Sequence, residues 1–199
     1  MLFRSLVYSA AMQSTDRPEN SASPARERIL RTAHDLFYRE GVRATGVDRV
    51  IAEASVAKVT FYRHFPSKTD LIHAYLERRH QNWMSWFVDA LQQRGGSAEA
   101  IVPALAEWFD DPDFRGCAFL NSVGELGGAM PEVVAITRRH KQEMVDVIAK
   151  LLRPARRRGA NAQAIALAID GAIVRAQFDQ TPDAALSALG QIVRSLLRE

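Results

Sequence analysis

Cysteine is nearly absent from this chain of 199 residues, since Cys117 is the only one. One thiol can form neither an internal disulfide nor a cysteine-based zinc site. We therefore expect a protein that folds in the reducing cytoplasm without covalent crosslinks. A redox-sensing role for Cys117 stays open as an alternative, although a buried thiol is usually inert.

Long hydrophobic runs are also missing, because no apolar run approaches the roughly 20 residues that a membrane-spanning helix needs. We predict no secretory signal, since the apolar segment near the start is too short and lacks a cleavage site. A second methionine, Met12, precedes a polar stretch that has the composition of a disordered segment. We expect residues 1–22 to be a flexible tail, or the native chain to start at Met12.

Motifs of common enzyme classes are lacking as well. The sequence has no His-Glu-x-x-His, no Gly-x-Ser-x-Gly and no Walker-type phosphate loop. Its five histidines are dispersed, but His73 and His80 lie seven residues apart on one face of a predicted helix. A helical ligand-binding protein or a metal-dependent bundle enzyme is therefore the rival class. We predict no catalytic residue, no metal site and no cofactor.

Apolar residues recur at helical spacing in almost every segment, and no segment alternates with a period of two. In the first predicted helix the apolar positions from Ile29 to Phe37 follow the pattern i, i+4, i+7, i+8. Ser23 and Pro24 have the residue types of an N-cap and a first helical position, and Gly41 has that of a helix end. The sequence therefore predicts an all-α protein of about nine helices.

Three short helices are predicted first and six more behind them. Thr45 is expected to cap the second helix, with Asp48 at its third position, and Ser67 to cap a long fourth helix that reaches Arg94. Pro103 is expected to interrupt the fifth helix. The remaining helices are predicted around residues 117–126, 131–152, 161–178 and 183–197.

Charge is distributed unevenly along the chain. Residues 24–68 contain nine basic and five acidic side chains, while the whole chain has a formal net charge of +3. Residues 24–68, which we call the first module, thus carry all of the net positive charge, and the remainder of the chain is close to neutral. A basic module on a neutral body suggests a polyanionic partner at one end.

The second and third short helices are joined by a tight turn, which is the layout of a helix-turn-helix. We expect Val56, Val59, Phe61 and Phe65 to supply its apolar packing surface. Small or hydrogen-bonding side chains of the third helix can enter a major groove. These are Ala57, Lys58, Thr60, Tyr62, Arg63 and His64.

The stretch from Thr45 to Leu71, TGVDRVIAEASVAKVTFYRHFPSKTDL, resembles the signature of the TetR family of transcriptional regulators. That signature has a Thr, an Ile-Ala pair, a small-small-Val turn, a Tyr-x-x-Phe, and then Ser-Lys and Leu. With the preceding helix the resemblance covers about 45 residues. One departure is Ser55, which stands where the family usually has glycine, and we expect a slightly strained turn there.

The resemblance implies binding of a double-stranded DNA operator and assigns roles to several residues. Thr45 would bond a phosphate, Lys58 and Thr60 would read bases, and Lys68 would contact a phosphate at a helix N-terminus. Tyr62 and His64 would clamp phosphates. The alternatives are a core role for the ring of Tyr62, a capping role for His64 and a solvated Lys68.

Aromatic and polar side chains that fall together in the second part of the chain suggest an effector pocket, which the resemblance also implies. An ordinary core is the alternative for most of them. The predicted pocket residues are Trp83, Trp86, Phe87, Trp108, Phe109, Cys117, Asn121, Glu125, Gln177 and Phe178.

The last two predicted helices carry more apolar positions than one packing face can use, which predicts a homodimer formed through them. A two-fold dimer would present two reading helices to a palindromic site. We predict a tail at 1–22, a DNA-binding helix-turn-helix domain at 23–67, and an effector-binding and dimerisation domain at 68–199. The expected function is a cytoplasmic repressor that a small-molecule effector releases from its operator.

Overall fold

A computed structural model describes residues 23–198, and the predicted tail 1–22 lies outside the described residues. The described residues form nine α-helices and one short 3-10 helix and contain no strand. The prediction of an all-α protein with about nine helices is therefore confirmed. The helices are α1 (Pro24–Glu40), α2 (Val47–Glu53), α3 (Lys58–His64), α4 (Lys68–Gln93), α5 (Ile101–Phe109), α6 (Ala118–Leu126), α7 (Pro131–Leu151), α8 (Arg158–Ala176) and α9 (Asp183–Leu197).

Two helix starts follow from capping side chains, as the sequence predicts. The hydroxyl of Ser23 accepts a hydrogen bond from the Arg26 amide, and Pro24 occupies the first helical position of α1. The hydroxyl of Ser67 accepts the amide of Asp70 at 3.1 Å and donates to its carboxylate at 2.6 Å. These bonds satisfy amides that the first turn of a helix leaves without partners.

The expected interruption of the fifth helix at Pro103 is wrong. The 3-10 turn Ala98–Ala100 leads directly into α5, and Pro103 is the third residue of that helix. A proline in the first helical turn is tolerated because its missing N–H has no partner within the helix there. A proline breaks or kinks a helix only at an interior position.

The chain forms two compact units. The N-terminal unit comprises the described residues 23–81 and 118–137, and the C-terminal unit comprises residues 82–117 and 138–198. These units do not coincide with the boundaries expected from sequence, because the first half of α4 and all of α6 pack with the three short helices. The functional division at residue 67 stays a prediction.

The core of the N-terminal unit is built by one face from each of its helices. Aromatic and aliphatic side chains of α1, α3 and α4 bury each other, and Tyr75 meets Phe37 edge to face at 5.4 Å. The guanidinium of Arg79 lies 4.0 Å from the ring centre of Tyr38. Buried members of this core include Ile29, Leu36, Phe37, Val50, Phe61, Phe65, Leu71 and Tyr75.

An ion pair also joins α1 to α4. Both terminal nitrogens of Arg78 donate to the carboxylate of Glu27 at 2.5 Å. These hydrogen bonds, helped by the charges of Arg78 and Arg31 against the opposing effect of burial, lower the pKa of Glu27. A carboxyl whose folded pKa is lowered stabilises the fold above its unfolded pKa, and this contribution is lost as the pH falls through the folded value.

We therefore expect Glu27→Gln to lower the melting temperature at pH 7 by a few degrees, since a partly exposed pair contributes at most about 1 kcal/mol. The difference from the wild type should begin to shrink as the pH falls below about 5, and it should vanish only below the lowered folded pKa, where the wild-type carboxyl is protonated. Circular dichroism melts at four pH values measure it. A difference that stays constant down to pH 3 would assign the effect to packing and not to charge.

Candidate nucleic-acid interface

Helix α3 is anchored from one side only. Phe61 is fully buried, and Phe65, four residues later, is 2 % exposed. The Arg26 guanidinium covers the ring of Phe65 at 5.1 Å. This i, i+4 pair holds the short helix from behind, because side chains four apart lie on the same helical face.

The turn before α3 has the strained residue that the sequence predicts. Ser55 has a φ of 51° and is the only non-glycine residue with a positive φ among residues 23–198. The following amide, Val56 N–H, donates back to the carbonyl of Ile51 at 3.3 Å. The chain therefore reverses sharply between α2 and α3, as a helix-turn-helix requires.

The opposite side of α3 faces outward. Val59 is 66 % exposed, Tyr62 is 41 % exposed, and Arg63 is also exposed. These three residues have the spacing i, i+3, i+4 and so form one stripe, which we call the outward stripe. The expected packing role of Val59 is wrong: at 100° per residue it lies about 200° from the buried Phe61. That angle is the sequence signal that identifies Val59 as a surface residue.

Three predicted DNA-binding residues lie at or near the start of α3. Ala57 is its N-cap residue and is exposed, and Thr60 is half-buried. The Lys58 ammonium lies 3.2 Å from the carboxylate of Asp48 on α2, with both side chains largely exposed. An exposed pair of this kind is weak. Lys58 therefore remains available to a stronger anion such as a phosphate.

His64 and Lys68 are held more closely by the protein. The Nε2 atom of His64 lies 3.0 Å from the hydroxyl of Ser23, the N-cap of α1, so only Nδ1 is left for a phosphate. Lys68 is half-buried at the first position of α4. Burial lowers the pKa of Lys68, and the negative charge of Glu125 partly opposes this shift.

The capping role expected for Thr45 is wrong. Gly46 is the N-cap of α2, and the hydroxyl of Thr45 donates to the carbonyl of Gly41 at 2.8 Å instead. Thr45 is also fully buried. Its hydroxyl closes the loop after α1 from inside, so we leave it out of the interface proposed below.

The C-terminal unit brings five of the predicted pocket residues into one aromatic cluster. Trp83 stacks on Phe87 with ring centres 4.8 Å apart and meets Trp108 at 5.8 Å. Trp86 and Phe109 each lie 5.9 Å from Trp108. All five side chains are at least nine-tenths buried. The ring of His140, which is also buried, extends this cluster 5.0 Å from Trp83.

The remaining predicted pocket residues lie elsewhere. Asn121 and Glu125 belong to the N-terminal unit. Gln177 is exposed and donates to the carbonyl of Arg115 at 3.0 Å, and Phe178 is 64 % exposed. Their positions depend on helix packing that a linear pattern does not encode, so sequence proximity to apolar residues was a poor guide.

Cys117 is buried in the C-terminal unit beside a lysine that the sequence did not suggest. The Lys141 ammonium lies 3.5 Å from its sulfur and 2.5 Å from a carboxylate oxygen of Asp170. Burial alone would lower the pKa of Lys141, but the nearby Cys117 and Asp170 raise it above its ordinary value. Lys141 is 24 residues from Cys117, on α7, so only the packing of helices brings them together.

The histidines considered for a metal site differ in environment. His73 is exposed and lies 3.7 Å from Glu77, while His80 is buried. Within residues 23–198, no three His, Cys, Asp or Glu side chains are grouped closely enough to hold a metal ion. In the same part of the chain, none of the helices combines the length and the apolar character needed to cross a bilayer.

Comparisons with known proteins agree on one family. The model of the bacterial regulatory proteins of the tetR family matches residues 29–75, which span α1 to the first half of α4. The HTH-type transcriptional regulator UidR of Escherichia coli is 23% identical over 147 residues, 72% of each chain. The HTH-type transcriptional activator FasR of Mycolicibacterium smegmatis is 32% identical over 85 residues, 43% of this chain and 39% of FasR.

A solved structure extends the similarity to both units. SCO4454, a TetR-family transcriptional regulator from Streptomyces coelicolor, is 34% identical. The alignment covers 87% of this chain and 94% of SCO4454, with a TM-score of 0.77. This similarity covers nearly the whole chain. It agrees with the two features that indicate a helix-turn-helix, the buried and outward faces of α3 and the sharp turn at Ser55. The chain is a member of the TetR family of helix-turn-helix transcriptional regulators.

Proposed function

We propose that this regulator reads a palindromic operator with α3 and represses transcription until a small-molecule effector releases it. Membership of a family of transcription regulators excludes the rival enzyme class. The observation that carries the proposal is the exposed stripe Val59, Tyr62 and Arg63 on a helix held from behind by Phe61 and Phe65. A helix with one free side of this kind fits a major groove.

The proposed contacts divide into base reading and phosphate binding. Thr60 and Lys58 read base edges, and the apolar Val59 reaches a thymine methyl group, which a polar side chain would not favour. Tyr62, Arg63, His64 and Lys68 contact phosphates. Ala57 supplies close approach, because its small side chain lets the start of α3 enter the groove.

The proposed base-reading and phosphate roles predict different responses to alanine. We expect Thr60→Ala to change the ranking of operator variants, because only base contacts depend on sequence. We expect Lys68→Ala to weaken binding to all duplexes alike and to flatten the slope of log affinity against log salt by about 1. Fluorescence anisotropy over a salt series measures both. A uniform loss for Thr60→Ala, or an unchanged slope for Lys68→Ala, would refute the corresponding role.

The effector is proposed to bind at the aromatic cluster of the C-terminal unit. A buried cluster of Trp83, Trp86, Phe87, Trp108 and Phe109 offers the apolar lining typical of small-molecule sites. Helix α4 supports a route for the signal, since it runs unbroken from Lys68 to Gln93 and contributes residues to both units. An effector that favours another tilt of α4 would change DNA affinity, and DNA would oppose effector binding reciprocally.

A homodimer through α8 and α9 is proposed from their exposed apolar side chains. Leu167 is 74 % exposed, Val174 is 42 % exposed and Ile192 is 41 % exposed. A second copy that covers these side chains would remove them from water. Sedimentation equilibrium should give twice the mass of one chain. A monomer at micromolar concentration would exclude this arrangement.

Selection of bound sites from random duplexes is the experiment that tests the proposal as a whole. Two similar half-sites in inverted orientation, with centres about one helical turn or slightly more apart, are expected for a two-fold dimer. A repressor that acts on the chromosome would be cytoplasmic, and a reporter gene behind the selected site should be silenced. Enrichment of no sequence would overturn operator reading, whereas activation of the reporter would overturn repression alone.

A further inference from the structure

The loop that joins α1 to α2, residues 41–46, is held by a side chain from a distant helix. A carboxylate oxygen of Glu125, on α6, accepts a hydrogen bond from the Arg43 amide at 2.7 Å. The two residues are 82 positions apart in the chain. Both belong to the N-terminal unit, so the contact lies inside one compact body.

The fit of the loop around this carboxylate is tight. Gly41 has a φ of 92°, and a Cβ atom at that position would lie only 3.1 and 3.2 Å from the two oxygens of Glu125. A residue with a side chain would be strained there and would push against the carboxylate. The absence of a side chain at Gly41 thus allows Glu125 to approach the loop.

Thr45 also stabilises this loop, because its buried hydroxyl donates to the Gly41 carbonyl at 2.8 Å. Gly46, the N-cap of α2, follows directly. The loop therefore sets where α2 begins, and α2 and the turn at Ser55 in turn place α3. A shift of the loop would move the reading helix relative to α1.

We infer that Glu125 is a positioning residue for DNA binding, which acts by holding residues 41–46 and thereby the pose of α2 and α3. It makes no contact with DNA in this inference. The inference rests on the proposed reading of DNA by α3. It also connects α6 to the loop before α2 by a contact that does not pass through α4.

The sign of the effect separates this inference from simple electrostatics. Glu125 is an acidic residue in a unit that must approach a polyanion, so removing its charge should strengthen duplex binding if only the long-range field mattered. A positioning role requires the opposite result. The charge of Glu125 also acts on Lys68, since it partly opposes the lowering of the Lys68 pKa by burial.

The test compares Glu125→Ala with two matched variants on the selected duplex at pH 7. We expect Glu125→Ala to weaken binding about tenfold, which is the size of effect that loss of a charge-assisted hydrogen bond produces. Glu125→Gln keeps an acceptor oxygen for the Arg43 amide and should recover most of the affinity. Glu132→Ala removes an exposed carboxylate from the same unit and should bind at least as tightly as the wild type.

Two further readouts exclude a general loss of folding. The slope of log affinity against log salt should change by less than about 1 in Glu125→Ala, because Glu125 itself contacts no phosphate. Hydrogen exchange of the Arg43 amide should be faster in Glu125→Ala than in the wild type, while the amides of α1 stay protected. Titration of the active fraction at stoichiometric DNA corrects for any unfolded protein.

Several outcomes would overturn the inference. These are binding by Glu125→Ala as tight as the wild type or tighter, an equal loss in Glu132→Ala, and an Arg43 amide that remains protected in Glu125→Ala. Failure of the wild type to bind any selected duplex would instead refute the proposed reading of DNA. The two failures are therefore distinguishable.

Discussion

Replacing Val59 with glutamate is expected to weaken duplex binding at least about a hundredfold, because like charges brought together at an interface cost several kcal/mol. Val59 is 66 % exposed on the outward stripe of α3, so the new carboxylate would meet bases and phosphates directly. The fold should tolerate the change, since the side chain packs against little of the protein. Gel-shift titration with the selected duplex measures the loss, and circular dichroism checks the helix content.

Gln92→Glu is the matched control for this variant. It adds the same single negative charge at an exposed helical position, but in the C-terminal unit. Its duplex affinity should fall by no more than a few-fold, since exposed charges more than about 10 Å from the phosphates are screened at ordinary salt. If Val59→Glu bound as well as Gln92→Glu, the outward stripe would not be the surface that meets DNA.

Phe61→Ala is expected to reduce the free energy of unfolding of the N-terminal unit by about 3–5 kcal/mol. Phe61 is fully buried and contacts Phe65 and Tyr62 with ring centres 6.1 and 5.2 Å away. The truncation leaves a cavity behind α3, beside the buried Phe65 that also anchors this short helix. A loss of this size is a large part of the free energy of unfolding of a typical protein, which is about 5–15 kcal/mol. Urea unfolding, followed by hydrogen exchange over residues 24–81, measures it.

The neighbouring Tyr62→Ala provides the contrast. Tyr62 is partly exposed, so its removal should cost only about 1 kcal/mol of stability, from the edge-to-face contact with Phe61. Its duplex affinity should nevertheless fall, because the proposed phosphate contact is lost. A stability loss as large as that of Phe61→Ala would mean that the ring of Tyr62 belongs to the core, which is the alternative left open by the sequence.

Local chemistry made several features predictable. Ser23, Pro24, Ser67 and Asp70 each act within one turn of their own helix, so the residue types alone indicate the helix starts. The positive φ at Ser55 was expected from the resemblance, since the family usually has glycine at this position of the turn. These interactions span only a few residues, and therefore they depend little on how distant helices pack.

Other predictions failed because two local patterns competed. Thr45 has the residue type of an N-cap, yet its hydroxyl closes a loop, and Gly46 takes the capping position. Val59 is β-branched and apolar, which favoured the core, but the phase of a short helix is fixed by its most buried ring, Phe61. In α3 the angular position of Val59 relative to Phe61, and not its hydropathy, determines that Val59 is exposed.

The sequence by itself determined the all-helical fold and the helix-turn-helix, because periodicity, capping and turn chemistry act over short distances. The family and most of the surface proposed to meet DNA came from the resemblance of residues 45–71 to the family signature. Only the tertiary structure decided which distant side chains meet. It placed Glu125 against the loop at Arg43, Lys141 beside Cys117, and α6 with the DNA-binding helices. Contacts of this kind depend on how whole helices pack, and no pattern along the chain records that packing.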